Sequence, residues 1–305
     1  MTRLLRQGSG QAYAEVIGDP IAHSKSPLIH NFWLGKLGID AEYRACHVRA
    51  DELADYFTRR RGDAEWRGCN VTMPHKESVV PLVDEIDPDA RLVGALNSIV
   101  LRGSVLAGCN TDVAGIREAF DSIAEHPLPK NYIATLISII GAGGAARAAG
   151  AAFRGGEITF FNRDVVKAAK LADAFSAGAD YGFAASLDDL PNEPFAFDPQ
   201  YPDLLDNCGP NQRYSHIIIN ATTMGMAGQP EVPLNLECYP DDTIVFDMVY
   251  APLNTRLLCE ARARGMRTID GLAMLIGQAA VAFEKFFFVP APREHDAELR
   301  ALLTT

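Results

Sequence analysis

The chain has few basic residues, no long apolar run and no internal repeat. Its 28 Lys and Arg residues are outnumbered by 39 Asp and Glu, which makes the formal net charge -11. A nucleic acid or an anionic membrane would require a basic face, so we expect neither as a partner. A small anionic ligand needs only a local pocket and is not excluded. No stretch approaches the ~20 apolar residues of a membrane-spanning helix.

The cysteines lack the spacing of a metal site or a disulfide framework. None forms a CxxC pair, and no histidine follows at zinc-binding distance. We therefore expect no metal, and reduced thiols in a cytoplasmic protein. Residues 1–12 are polar and lack the apolar core of a signal peptide, which agrees with that location. The six positions are Cys46, Cys69, Cys109, Cys208, Cys238 and Cys259.

A chain of 305 residues is long enough for two domains. After a Pro-containing linker at 126–130, the run 132–140 is almost wholly apolar, as in a strand buried on both faces of a parallel sheet. Strands and helices alternate from there, which predicts an α/β fold with right-handed crossovers. We assign 112–270 to a Rossmann-type doubly wound dinucleotide-binding domain. Residues 191–213, rich in Pro, Asp and Asn, are interpreted as a surface insertion.

The remaining ranges, 1–111 and 271–305, are predicted to form a discontinuous α/β substrate-binding domain. The helix predicted at 272–287 is apolar on most sides and is expected to pack onto the first part of the chain. In that part we predict strands at 14–18, 43–48 and 70–73, a hairpin at 98–106, and a helix at 113–124 capped by residues 110–112. We also predict two helices with Ser26 and Asp51 as their N-caps, and a helix after Pro74.

A glycine-rich turn follows the apolar strand. The sequence Gly141-Ala142-Gly143-Gly144-Ala145-Ala146 fits G-x-G-x-x-A between a strand and a helix. The first glycine allows the tight turn, the second allows backbone to approach a pyrophosphate, and the small last residue allows close packing of helix on strand. The helix N-terminus adds N–H groups and the positive end of a dipole. The turn therefore predicts dinucleotide binding.

The end of the next strand indicates which dinucleotide. NAD-binding folds usually place an acid there to bind the ribose 2′-hydroxyl, but this strand ends in Asn162-Arg163. A guanidinium suits a 2′-phosphate, with Lys167 as a further positive charge. We therefore predict NADP. Asp164, one residue later, leaves NAD as the alternative.

Two further stretches carry candidate chemistry. His23-Ser24-Lys25-Ser26-Pro27 places two hydroxyls at a helix start, where they either cap the helix or hold a carboxylate. Lys76, in the stretch Asn70–Lys76, is either a solvated surface charge or a proton donor. Neither stretch alone decides between its two readings.

A series of motifs in order resembles the shikimate dehydrogenase family, and it spans about 14–287. Besides the glycine-rich turn, the motifs are Ser24-Lys-Ser26, Asn70-Val-Thr72-Met-Pro-His-Lys76, Gly94-Ala-Leu-Asn97, Asn110-Thr-Asp112, Asn220-Ala-Thr222-Thr-Met224-Gly225, Asp247-Met-Val-Tyr250 and Asp270-Gly271-Leu-Ala-Met274-Leu-Ile-Gly-Gln278. The resemblance implies a reversible, NADPH-dependent reduction of 3-dehydroshikimate to shikimate, in aromatic amino-acid biosynthesis.

The resemblance also implies roles for individual residues. Lys76 and Asp112 match the catalytic pair, and Ser24, Ser26 and Tyr250 match ligands of the substrate carboxylate. Thr72, Asn97 and Gln278 match ligands of the ring hydroxyls. The expected cofactor contacts are Gly141, Ala142, Gly143, Gly144, Ala145, Asn162, Arg163, Lys167, Thr222, Met224, Gly271 and Met274.

Departures from the family pattern keep alternatives open. Asp164 stands where the family usually has Thr or Ser. A quinate or dual quinate/shikimate dehydrogenase using NAD or NADP is the first alternative, although Ser26 favours shikimate because quinate-preferring relatives often carry Thr there. A non-catalytic dinucleotide-binding sensor is the second, but it would not need both Lys76 and Asp112. We expect a monomer or a homodimer.

Overall fold

The computed structural model describes residues 10–123, 132–176, 181–190 and 213–304. The chain divides into two compact units. Unit 1 comprises the chain up to Gly115 and from Leu275 onward, and unit 2 is Ile116–Met274. The predicted domain boundaries, 111/112 and 270/271, each lie about one helical turn before the boundaries of these units. Which unit binds substrate and which binds cofactor stays a prediction.

The strands and helices alternate along most of the chain. The strands in the described ranges are β1 (Ala12–Gly18), β2 (Ala41–His47), β3 (Trp66–Val71), β4 (Glu85–Ile86), β5 (Ser98–Arg102), β6 (Val105–Cys109), β7 (Tyr132–Ile140), β8 (Glu157–Asn162), β9 (Tyr181–Ser186), β10 (Arg213–Asn220), β11 (Ile244–Asp247) and β12 (Arg267–Asp270). The helices there are α1 (Ser26–Leu37), α2 (Leu53–Arg61), α3 (Pro88–Val93), α4 (Thr111–Asp121), α5 (Gly144–Ala152), α6 (Val165–Ala174), α7 (Arg256–Ala263), α8 (Gly271–Phe287) and α9 (Asp296–Thr304).

Unit 1 contains a mixed six-stranded sheet in the order β2-β1-β3-β5-β6-β4. β1 lies between two parallel partners, β2 and β3, and all seven of its residues are buried. β5 is antiparallel to both β3 and β6, and the β5–β6 pair is the predicted hairpin. The carboxyl ends of β1, β2 and β3 therefore meet at one edge, where the loops after Gly18 and Val71 begin.

Helix α8 contributes an aromatic layer to unit 1. Phe283 lies edge-on to Trp33 of α1, with ring centroids 5.5 Å apart, and Phe286 lies 6.2 Å from Tyr43. Phe286 also approaches the backbone of β3 so closely that a Cβ at Gly68 would come within 2.7 Å of its ring. The apolar character of 272–287 thus reflects packing from its Leu275–Phe287 part into unit 1.

Several predicted elements of unit 1 are corrected by the structure. α1 begins at Ser26 and ends at the left-handed Gly38, but Lys25 rather than Ser26 is the N-cap. Asp51 lies within a 3-10 turn, Ala50–Glu52, and α2 starts at Leu53 with Glu52 as its N-cap. β3 occupies Trp66–Val71 and leaves out Met73. The segment directly after Pro74 is not an α-helix. It forms successive turns that lead to a 3-10 turn, Val80–Leu82.

Unit 2 contains a parallel six-stranded sheet in the order β12-β11-β10-β7-β8-β9. Read from β9, this is the doubly wound Rossmann order, with the change of direction between β7 and β10. Every paired strand is parallel, so the predicted fold class is confirmed. β7 has the predicted bounds.

Some predicted features fall outside the described ranges. Residues 191–212 of the expected insertion do so, whereas Arg213 is the first residue of β10. Residue 124, where the helix predicted at 113–124 ends, and Cys208 also lie outside them. β4, α3, β9 and α9 were not predicted. Within the described ranges, no helix combines the length and the apolar character needed to cross a membrane.

Candidate active site

Lys76 and Asp112 form an ion pair in unit 1. The Lys76 ammonium donates to Asp112 Oδ2 at 2.7 Å. The Lys76 side chain is 30% exposed and that of Asp112 is 12% exposed. The pair is thus half-buried, and the ammonium keeps two further N–H donors for another acceptor. Such an arrangement can hold a proton at a fixed point next to a bound molecule.

Backbone contacts hold both members of this pair in place. Lys76 lies in the turn after β3, where its carbonyl accepts from Leu96 N at 2.8 Å. Asp112 is in the first turn of α4. Asn110 Oδ1 accepts from Asp112 N at 3.1 Å, and Asn110 Nδ2 donates to the Ala95 carbonyl at 3.0 Å. Asn110 thereby caps α4, as predicted, and ties its start to the segment before Asn97.

A second polar group in unit 1 joins Asn97 to Gln278 through Thr111. The backbone N–H of Thr111 donates to Asn97 Oδ1 at 2.7 Å, so Asn97 must present its Nδ2 to the Thr111 hydroxyl, 3.1 Å away. The Thr111 hydroxyl lies 3.2 Å from Asn97 Oδ1 and 3.4 Å from Gln278 Oε1, and it can donate its single proton to either oxygen. Thr111 therefore contacts the amides of two predicted substrate ligands.

Thr111 was not among the predicted site residues, although it stands inside the Asn110-Thr-Asp112 motif. Tyr43 and Asn70 were also missed. The Tyr43 hydroxyl donates to Asn70 Oδ1 at 2.6 Å, and Asn70 Nδ2 donates to the Asn97 carbonyl at 3.1 Å. These buried contacts fix the backbone at Asn97. For Asn70 and Thr111 the available signal was their position inside motifs already singled out, whereas Tyr43 on the largely polar β2 offered none.

The serine turn and Thr72 lie next to the carboxyl end of β1. Ser24 Oγ accepts from Ser26 N at 3.3 Å, and both serines are half-buried. The Thr72 N–H donates to the Ile17 carbonyl at 3.0 Å. A Cβ at Gly18 would lie 2.6 Å from Thr72 Cγ2, so only glycine allows this close approach. The structure therefore places Ser24, Ser26 and Thr72 at one edge of the unit 1 sheet.

The glycine-rich turn after β7 has the features that a pyrophosphate requires. Gly141 adopts φ +122, and a Cβ there would lie 3.0 Å from the Ala221 carbonyl. Gly143 and Gly144 are exposed, and a Cβ on either would meet open space. This space lies at the N-terminus of α5, where backbone N–H groups face outward. The residues present therefore fit a dinucleotide phosphate group.

In the turn after β8, Asp164 is the N-cap of α6. Its Oδ1 accepts from Lys167 N at 3.2 Å and caps α6, and its Oδ2 lies 3.9 Å from Lys167 Nζ. Asn162 Nδ2 donates to the Asp164 carbonyl at 3.0 Å. Arg163 is exposed beside them. The Asp164 carboxylate, which was the reason to consider NAD as an alternative cofactor, therefore makes these contacts within its own turn.

The other predicted cofactor and substrate contacts of unit 2 lie after β10 and β11 and at the start of α8. Thr222 donates its hydroxyl proton to Asn220 Oδ1 at 2.7 Å, and Met224 packs in the core. Tyr250 is exposed and Met274 is half-buried. A Cβ at Gly271 would lie 2.2 Å from the Met248 carbonyl. Close packing at this point therefore requires a glycine.

The fold and the glycine-rich turn define a two-unit α/β protein of the dinucleotide-binding Rossmann class. The profile of the shikimate dehydrogenase substrate binding domain matches residues 16–99. "Shikimate dehydrogenase (NADP(+))" from Sphingopyxis alaskensis is 47% identical over 296 residues, which cover 95% of this chain and 96% of that protein. This chain belongs to the shikimate dehydrogenase family.

Solved structures agree with that membership. Shikimate 5-dehydrogenase from Thermus thermophilus, in complex with NADP(H) and shikimate, superposes with a TM-score of 0.75 at 30% identity and covers 95% of this chain and 99% of its own. A 5-ketofructose reductase from Gluconobacter sp. strain CHM43 gives 0.81 at 28% identity, with coverage of 97% and 100%. The fold is therefore shared by enzymes with different substrates.

Proposed function

We propose that this chain catalyses the reversible reduction of 3-dehydroshikimate to shikimate with NADPH. The observation that carries the proposal is the 2.7 Å pair between Lys76 Nζ and Asp112 Oδ2, in the same unit as the Asn97–Thr111–Gln278 amides. A proton donor and oriented hydroxyl ligands are what the reduction of a ring ketone requires. Family membership supports the substrate class.

The proposed mechanism divides the work between cofactor and protein. NADPH, when bound, supplies the hydride. Lys76 stabilises the negative charge that develops on the ketone oxygen and delivers the proton, while Asp112 holds the ammonium in place. Thr72, Asn97 and Gln278 bind the ring hydroxyls. Ser24, Ser26 and Tyr250 hold the substrate carboxylate.

The proposed cofactor contacts follow from unit 2. The pyrophosphate is held by Gly141, Ala142, Gly143, Gly144 and Ala145. The 2′-phosphate is bound by Arg163, with Asn162 and Lys167 beside it, and a nearby carboxylate would oppose it by charge repulsion. Because Asp164 already caps α6, its charge is partly offset by the backbone N–H that it accepts. Thr222, Met224, Gly271 and Met274 are assigned to the nicotinamide half.

The alternatives differ in substrate and in turnover. A quinate or dual dehydrogenase would accept an additional hydroxyl at the carbon that bears the carboxylate, next to Ser26, and could use NAD. A non-catalytic sensor would bind cofactor without turnover, but it would have no use for the Lys76–Asp112 pair.

The deciding experiment is the initial rate of nicotinamide reduction, with shikimate and quinate each paired with NADP and NAD. Turnover that strongly prefers shikimate with NADP supports the proposal. A preference for quinate or for NAD supports the dual-specificity alternative. No turnover in any combination, with intact cofactor binding, would overturn the proposal in favour of the sensor.

Location and assembly are part of the same proposal. We place the protein in the cytoplasm, where the five described cysteines, which are free thiols, would stay reduced. We expect a monomer or a homodimer, without nucleic acid or membrane as a partner. Light scattering coupled to gel filtration measures the assembly, and cell fractionation measures the location.

A further inference from the structure

Unit 2 contains a buried carboxylate that the proposed chemistry does not use. Asp247, the last residue of β11, is completely buried. Its Oδ1 accepts from Asn220 Nδ2 at 2.9 Å and from Val249 N at 3.0 Å. Its Oδ2 accepts from the Thr255 hydroxyl at 2.6 Å. No Lys, Arg or His in the described part of the chain forms an ion pair with it.

The hydrogen bonds around Asp247 are those of an ionised carboxylate. An amide nitrogen and a backbone N–H can only donate. The Thr255 hydroxyl accepts from Leu258 N at 3.3 Å, which directs its own proton to Asp247. Among these partners, only the Thr255 hydroxyl could accept a proton from a protonated carboxyl, and it would then lose its own donation to Asp247 Oδ2. Burial raises the pKa of Asp247, and the hydrogen bonds from Thr255, Val249 and Asn220 oppose that rise.

Asp247 lies on the nicotinamide side of the Rossmann sheet. The direction of strand order changes between β7 and β10, and in this fold one half of a dinucleotide lies on each side of that point. Arg163 follows β8, so the adenosine half belongs to the β8 side. The other half then belongs over the carboxyl ends of β10 and β11, where Asn220 and Asp247 are the last residues.

The carboxylate is connected to the loop at that edge. Asn220 Nδ2 bridges Asp247 Oδ1 and the Met224 carbonyl, each at 2.9 Å, and Asn220 Oδ1 accepts from both Thr222 N and the Thr222 hydroxyl. A Cβ at Gly225 would lie 3.9 Å from Asp247 Oδ2. The negative charge is therefore directly beneath loop 221–225.

We propose that Asp247 is a positioning residue whose buried negative charge favours the oxidised nicotinamide, which is cationic, over the reduced nicotinamide, which is neutral. The inference rests on the proposed function, because it requires NADP(H) in this site. A charge buried away from water acts over a longer distance than one at the surface. The hydrogen bonds from Asn220, Val249 and Thr255 offset part of the cost of burying this anion without a cation.

The test compares the dissociation constants of NADP⁺ and NADPH, measured by calorimetry and by NADPH fluorescence. Asp247→Asn removes the charge but keeps the shape, and Thr255 can accept from the new amide. We expect the ratio of the NADP⁺ constant to the NADPH constant to rise about threefold or more. Thr255→Val keeps the charge and removes one hydrogen bond, so it should change both constants by the same factor. Glu260→Gln changes a half-buried acid on α7 that is paired with Arg256, and it should leave both constants unchanged.

An unchanged ratio in folded Asp247→Asn, or an equal rise of the ratio in Thr255→Val, would overturn the inference. If Asp247→Asn does not fold, Asp247→Ser provides the neutral variant for the same ratio. Failure of the wild-type chain to bind either form would overturn the proposed function itself, and this is seen before any variant is made.

Discussion

Unit 1 and unit 2 prepare their parts of the proposed site by different means. In unit 1, side chains are held by buried hydrogen bonds, as Asn97 is held by Thr111 and Lys76 by Asp112. In unit 2, the turn after β7 offers backbone and open space at Gly143 and Gly144. The polar group of unit 1 is therefore sensitive to the loss of a polar atom, whereas the glycine-rich turn of unit 2 is sensitive to an added atom.

The largest effect is expected when the ammonium is removed from unit 1. Lys76→Met keeps the length of the side chain and removes its charge, so kcat should fall about 10³-fold through loss of the proton donor. NADPH affinity, measured by fluorescence titration, should change little. Lys36→Met removes another lysine of unit 1 that is paired with an acid, Glu298, and should leave kcat near the wild-type value. Near-normal turnover by Lys76→Met would remove Lys76 from the mechanism.

The next effect concerns added atoms in unit 2. Gly141→Ala should lose about 3 kcal/mol of unfolding free energy, because its positive φ is strained for alanine and its Cβ would crowd the Ala221 carbonyl. Gly144→Ala should keep its Tm and raise the KM for NADPH about tenfold, because its Cβ enters the open space.

Thermal melting and steady-state kinetics separate these two outcomes. Gly35→Ala is the matched control in α1, where a Cβ also meets open space; it should gain ~0.5–1 kcal/mol of stability without a change in KM. If Gly144→Ala behaves like Gly35→Ala, the phosphate does not lie at this turn.

A third test addresses a buried polar group in unit 1 that has no hydrogen bond. Both ring nitrogens of His30 lack a partner, and the ring stacks on Tyr43 at 4.0 Å. Burial lowers the pKa of His30 from 6.5 to about 3. The unfolded chain therefore binds a proton below about pH 6.5 that the folded chain rejects. Its contribution to stability is complete above that pH and is lost as the pH falls towards 3.

The pH dependence of urea unfolding measures this contribution. Between about pH 6.5 and 3, His30 should remove ~1.4 kcal/mol of unfolding free energy per pH unit, or ~2 kcal/mol at about pH 5. His30→Phe should lack this part of the slope, whereas His23→Gln, at an exposed position, should retain it. Equal slopes for His30→Phe and the wild type would contradict a neutral, buried imidazole.

The smallest effect is expected at the exposed end of β8. Arg163→Ala removes the charge assigned to the 2′-phosphate, so the KM for NADPH should rise about tenfold while the KM for NADH stays the same. Lys170→Ala, on an exposed position of α6, should change neither constant. Equal changes with both cofactors would show that Arg163 does not distinguish them.

Local sequence patterns predicted much of the secondary structure of unit 2 and less of that of unit 1. The bounds of β7 and the turn at 141–146 could be predicted because an unbroken apolar run followed by glycines has few other solutions. The turns after Pro74 were predicted as a helix, since nothing local showed that the Lys76 carbonyl would accept from Leu96 instead. β4 and α3 are too short for periodicity to reveal them.

The residues missed at the site share one property: their partners are distant in sequence. Thr111 bonds to Gln278, 167 residues away, and Tyr43 bonds to Asn70. Asp247 stands in a recognised motif, but its contact with Asn220, 27 residues away at the end of β10, depends on the pairing of the strands. The spacing of residues along the sequence does not show which buried polar groups will form hydrogen bonds with one another.

The sequence alone was enough to predict the fold class, the dinucleotide turn and the NADP preference, because residue types at short spacing encode each of them. Lys76 and Asp112 became candidates through the resemblance to a known family. The tertiary structure decided that Lys76 and Asp112 meet at 2.7 Å, that Asp164 is used as a helix cap, and that Asp247 is buried among three hydrogen-bond donors. Lys76 meets Asp112 across 36 residues and Asn220 meets Asp247 across 27, so these contacts depend on how distant segments pack. The Asp164 cap reaches Lys167 N only three residues away, and it depends on the backbone geometry of its own turn.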